Sequence, residues 1–120
     1  MTDAEKLRRL EATLAVAGNT HTFADVVQGV KEGRFQWWGN GDGHVVSEIL
    51  TFPRYKAVNY WLVFGALREC LSLEHEVNAF AVEQGCTMAF AAGRRGWGRA
   101  AAPTGWRLNG YQFIKTLVQR

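Results

Sequence analysis

The sequence has little that would hold a chain together covalently or carry it across a membrane. It has two cysteines in 120 residues, Cys70 and Cys86. Two thiols that far apart build neither a disulfide scaffold nor a zinc site, so both are expected to be free. No other cluster has metal-ligand spacing, and no metal is expected. Every apolar run is interrupted within about ten residues, well short of the roughly twenty that a membrane helix needs. The first residues, Met1 to Lys6, are polar and lack an apolar signal core, which predicts a cytoplasmic protein. Acid is missing from the last third. Residues 86–120 hold six Lys/Arg and no Asp or Glu, while residues 1–85 hold eight Lys/Arg and eleven Asp/Glu. The local charges of +6 and −3 recover the net +3. An acid-free tail suits an anionic partner (phosphate, nucleic acid or an acidic protein face), or it is a solvated basic face with no ligand.

What is present is enough for one domain over residues 1–120. Hydrophobic residues make up 48% of the chain and five are Trp, which supports a single modest core. Two N-terminal helices are expected within residues 1–33. Thr2 and Glu5 have capping-box spacing, and Leu7, Leu10 and Leu14 form a stripe behind them. Thr22 and Asp25 open the second helix, with Phe23, Val26, Val27 and Val30 on its apolar face. Its valines and internal Gly29 make it intrinsically weak, so packing has to hold it.

Three antiparallel strands are expected within residues 34–64. The run from Gly39 to Gly43 contains Asn-Gly and Asp-Gly. It reads as a hairpin turn rather than a phosphate cradle, because it leads into a strand and not into a helix. In residues 44–52, alternation puts Val46, Glu48, Leu50 and Phe52 on one face. In residues 56–64, it puts Ala57, Asn59, Trp61 and Val63 on one face and Val58, Tyr60, Leu62 and Phe64 on the other. Both faces of this strand are apolar, so it belongs inside a sheet covered on both sides. Residues 65–118 read as a crossover helix with a break near residues 71–73, a buried parallel strand over 86–92, a short helix, and a final strand over 105–118. The fold class is therefore α+β: a mixed, mostly antiparallel sheet with one βαβ crossover and helices on both faces.

That order resembles the GNAT-type N-acetyltransferase fold over most of the chain. The local match is best near the end, where Trp97 lies on the short helix and Gly105-Trp106 takes the place of the Gly-Phe that opens a strand in that family. The run Gly93, Arg94, Arg95, Gly96, Trp97, following a Gly85-Cys86 strand start, also resembles small proteins of tailed-phage genomes. The resemblance implies acetyl-CoA as cofactor if the chain is active. Gly65 and Ala66 would then stand at the pyrophosphate, with Arg68 as the nearby cation. Two departures oppose activity. The basic first position of the family's phosphate loop is an apolar strand residue here, and the short-helix tyrosine that would protonate the leaving thiolate is Trp97. The residue after Gly105, Trp106, is expected to pack under the crossover helix.

Acetyl transfer to an amine needs a base, an oxyanion donor and a thiolate acid. Glu48, on an otherwise apolar strand face, is the candidate base; it reads more simply as a residue that meets an arginine at the sheet's rim or is exposed. Tyr111 and Tyr60 are candidate acids that also read as core residues. His44 sits beside the glycine turn and reads as exposed, and His75 as a surface helix residue. Arg94, Arg95, Trp97 and Arg99 make the most unusual stretch. It suits phosphates and a stacked base, or a protein hot spot, or a loop whose indole plugs the core. Three functional readings follow. The first is a non-catalytic GNAT-like protein that binds a protein partner, in a phage particle or its assembly. The second is an acetyl-CoA-dependent N-acetyltransferase, and the third is nucleic-acid binding through the basic 94–107 region.

Overall fold

The structure, a computed structural model, describes residues 1–39, 41–93, 96–110 and 113–118. The chain opens with α1 (Asp3–Val16). The Thr2 hydroxyl accepts the Glu5 N–H at 3.1 Å. Leu10 and Leu14 are buried, and Leu7, at the rim of the stripe, is 38% exposed. In α2 (Phe23–Lys31), Thr22 and Asp25 cap each other reciprocally as their spacing predicts. Val26 makes the buried contact, while Phe23 stays at the surface. Gly29, a weakness by propensity alone, is required by packing. A Cβ there would come 2.2 Å from the Phe35 ring.

The sheet follows as β1 (Phe35–Trp38), β2 (Gly43–Thr51), β3 (Lys56–Gly65) and, after the helices, β4 (Cys86–Ala91). Its strand order is β1-β2-β3-β4. The first two pairings are antiparallel and β3 runs parallel to β4. The crossover breaks at Leu73 into α3 (Leu67–Ser72) and α4 (Glu74–Glu83), where a break was expected. A short α5 (Trp97–Ala101) and a 3-10 turn (Ala102–Thr104) come after β4.

Two cores flank the sheet. Leu10, Leu14 and Val26 meet Phe35, Val46, Leu62 and Phe64 on the α1/α2 face. Val77 and Ala81 of α4 meet Val45, Val58 and Tyr60 on the other. Strict alternation would have put Val58, Tyr60, Leu62 and Phe64 together, but they divide between the two cores. The register gives the reason. Val46 faces Leu62 and Ser47 faces Tyr60, which leaves Trp61 as an extra residue in β3. This β-bulge turns Trp61 and Leu62 toward the same core and reverses the faces beyond it.

Two expectations for the C-terminal third are corrected. β4 is parallel to β3 but is not buried: Thr87, Met88 and Ala91 are exposed, and only Cys86 is fully covered. The final strand over residues 105–118 is not formed among the described residues, since 105–110 and 113–118 carry no strand. Gly105, at φ +98°, reverses the chain after the 3-10 turn. Trp106 is thereby diverted from the sheet edge onto the α4 face. There its ring stands edge-on to Tyr60 and its indole N–H donates to Glu74 at 2.9 Å. Trp106 does pack against the crossover, as expected, but not as the start of a strand. Cys70 and Cys86 are both buried free thiols.

Candidate functional site

The clearest irregularity in the sheet lies where β4 stops beside β3. Their pairing ends at Tyr60 and Ala91, while β3 continues to Gly65. The bulge at Trp61 begins at the same point. An extra residue raises the local twist of β3 at the point where β4 ends. Beyond Tyr60 the β3 backbone is paired with β2 and has no β4 partner.

Past that point β3 runs on to the turn into α3. Gly65 has φ +102°, and a Cβ there would sit 2.0 Å from the Asp42 carbonyl oxygen. That carbonyl accepts the Ala66 N–H at 2.7 Å. Gly43 lies against Glu69, where a Cβ would come within 2.5 Å of the Glu69 Cβ. The β1–β2 connection is therefore a hairpin turn, as its sequence predicts, and it also closes over the β3–α3 turn. Arg68 stands exposed on α3. A CoA pyrophosphate needs several outward amide N–H groups at such a turn and no competing acceptor. Here one of those amides, that of Ala66, is occupied by a carbonyl. The residues present do not match the cradle.

The hairpin is fixed by His44. Read from its neighbours as exposed, it is 2% exposed and stacks on Phe64. The Trp37 indole N–H donates to Nδ1 at 3.1 Å. An indole can only donate, so the imidazole proton lies on Nε2, which donates to the Gly41 carbonyl at 2.9 Å. Burial holds its pKa below the ordinary histidine value, with the Gly41 carbonyl opposing that shift. This arrangement suits a structural neutral imidazole.

Glu48 is half-buried and accepts the Asn59 amide at 3.0 Å from the residue directly opposite it on β3. It opens into a cleft of about 540 Å³ shared with His21, Arg34, Phe35, Gln36 and Phe80. The sequence reading did not single out His21. Its ring stands edge-on to Trp61 at 4.6 Å and to Phe35 at 5.7 Å, and Nδ1 lies 2.7 Å from the Thr20 hydroxyl. The one available signal was its place just before the Thr22 cap, in the link between two helices. A carboxylate and an imidazole thus share a cleft next to the bulged strand.

Tyr60 is not placed as an acid. Its hydroxyl donates to Asn78 on the α4 face, and burial, reinforced by Glu74, pushes its pKa up. Tyr111, Arg94 and Arg95 lie outside the described residues. Trp97 is half-buried on α5 beside Gly93, where a Cβ would come 3.1 Å from the ring. Arg99 is exposed, and so is His75, as expected. Among the described residues no group of His, Cys, Asp and Glu is arranged to hold a metal. Nor is any described helix long and apolar enough to cross a membrane.

No family model matches the chain, and no curated protein matches it. Solved structures do. A crystal structure of a point mutant of TTHA1254 from Thermus thermophilus superposes with a TM-score of 0.65 at 16% identity, covering 99% of this chain and 96% of the other. A Trypanosoma brucei acetyltransferase superposes with a TM-score of 0.60 at 14% identity, covering 92% and 94%. At these identities the likeness is one of fold. The α+β fold with its four-stranded mixed sheet is GNAT-like.

Proposed function

We propose that this GNAT-like chain works by binding a protein partner rather than by transferring acetyl groups, in a phage particle or during its assembly. The observation that carries the reading is the contact between the Asp42 carbonyl and the Ala66 N–H, which closes the turn where the fold's cofactor phosphate would be held. The residues offered to a partner are Trp97 and Arg99 of α5, with Arg94 and Arg95 before them in the sequence. Arginine and tryptophan are the side chains most enriched where protein interfaces concentrate their energy. The phage setting rests on the sequence resemblance alone.

The runner-up is an acetyl-CoA-dependent N-acetyltransferase with Glu48 as the base. The cleft shared by Glu48 and His21 favours it. It requires the hairpin to release Ala66. Calorimetric titration with acetyl-CoA and with CoA separates the two. No heat at high ligand concentration is the expected result. Micromolar binding, weakened by Arg68→Ala, would overturn the partner-binding reading in favour of the enzyme.

A further inference from the structure

The molecule has an open strand edge and a strand-like segment that does not occupy it. β4 pairs with β3 on one side only, and its outer edge has no partner among the described residues. An unpaired edge is a row of N–H and C=O groups ready to template another strand, and natural sheets usually blunt it with charge, proline or a cover. β4 is Cys-Thr-Met-Ala-Phe-Ala, without a charge or a proline. Apolar surface continues from this edge. Met88 is 41% exposed, and Phe90 groups with Phe52 and Tyr55, themselves 41% and 38% exposed.

The segment is residues 113–118, Phe-Ile-Lys-Thr-Leu-Val. It matches the six residues of β4 in length and is rich in the branched and aromatic types that strands favour. Phe113, Ile114, Leu117 and Val118 are 91%, 81%, 85% and 72% exposed. Four such side chains within one short segment are far more apolar surface than an isolated surface residue explains. In its own chain the segment is held away from β4. Trp106 is anchored on the α4 face by Glu74, and the Ile114 Cδ1 lies 3.4 Å from where a Cβ on Gly18 would be, at the α1–α2 link.

We infer that residues 113–118 of one copy add as a strand to the open β4 edge of a second copy, and that the exchange is reciprocal. Edge and segment are then self-complementary under a two-fold axis, the ordinary geometry of exchanged elements. Charge permits the same arrangement. The segment carries one cation, Lys115, and the β4 edge that would receive it carries no charge to oppose it. The inference does not depend on whether the fold binds acetyl-CoA or a further protein.

The test is light scattering with size-exclusion chromatography over a concentration series. It compares the full chain, a chain ending at Arg107, and Leu117→Asp, with circular dichroism to establish folding. A dimer of the full chain, lost on truncation, is the expected result. Leu117 is exposed in the single chain, so Leu117→Asp leaves the protomer folded even if the truncated chain does not fold. Each buried carboxylate should weaken the dimer at least about tenfold, so the two in a reciprocal exchange weaken it about a hundredfold. Hydrogen exchange gives a second readout: β4 amides protected in the dimer lose protection in Leu117→Asp. A full chain that is monomeric at every concentration would overturn the inference, and so would a dimer that survives both changes.

Discussion

Among the described residues, every buried apolar side chain except Cys86 lies in residues 1–85, while those after Ala91 turn Leu108, Phe113, Ile114, Leu117 and Val118 outward. The two regions do not differ in supply of apolar side chains. They differ in whether each element meets a second layer. α1 and α2 close over one face of β2 and β3, and α4 closes over the other. After β4, Trp106 is packed against the α4-side core. A strand pattern does not make a strand until something pairs with it, and hydrophobicity does not make a core until something covers it.

The contrast can be attacked most strongly at its firm end. Leu62 is fully buried between α1 and the bulge, and Leu62→Ala should cost about 2–5 kcal/mol through lost burial and the cavity left behind. A chemical denaturation curve reads this, and a cost under about 1 kcal/mol would mean the body is no better packed than the tail. Gly65→Ala comes next, at about 2–4 kcal/mol. The left-handed backbone penalises a Cβ, and the atom it meets is the Asp42 carbonyl, which cannot swing aside. The same substitution should raise hydrogen exchange at Ala66, whose amide would lose its acceptor.

Acid should loosen the body before the tail matters. The folded pKa of His44 is depressed, so the neutral form is the one the fold holds. Its contribution is complete above the unfolded value of 6.5 and is lost as pH falls below it. The unfolded chain then binds a proton that the native state refuses. Stability should fall by up to about 1.4 kcal/mol per pH unit until the folded pKa is reached. Lys6 faces the same ring system, its ammonium 5.8 Å from the Trp37 centroid, and it too opposes the imidazolium. Urea midpoints between pH 7 and pH 5 should drop in the wild type and stay nearly level in His44→Gln, which starts from lower stability. The smallest effect belongs to the tail. Trp106→Phe keeps a ring against Tyr60 but removes the donor to Glu74, and should cost about 1 kcal/mol in thermal unfolding.

Local chemistry was legible in the sequence. The helix caps at Thr2 and Thr22, the hairpin turn and the break near residue 73 depend on neighbours a few residues apart, and the structure has them all. What was not legible depends on distant partners. An apolar string from Ala57 to Phe64 does not say which residue is doubled, so the bulge at Trp61 and the reversal of faces could not be read from it. His44 looked exposed beside a glycine turn because the groups that bury it, Trp37 and Phe64, come from other strands. The site shows the same division. Glu48 was noticed because a carboxylate is odd on an apolar face, and it does line the cleft. Gly65 and Ala66 were matched to a phosphate loop, yet a carbonyl from the neighbouring hairpin occupies the amide that the match relied on.

The two buried thiols give the molecule a pair of clocks. Cys70 lies on the buried side of α3 with its Sγ 3.4 Å from the Phe64 carbonyl oxygen, and burial pushes its pKa up. Cys86 starts the strand at the sheet's open edge. A thiol reagent in water reaches either one only when its surroundings part, so each modification rate counts openings of one region. If the edge breathes independently of the body, Cys86 will be fully modified while Cys70 still waits for the whole fold to come apart.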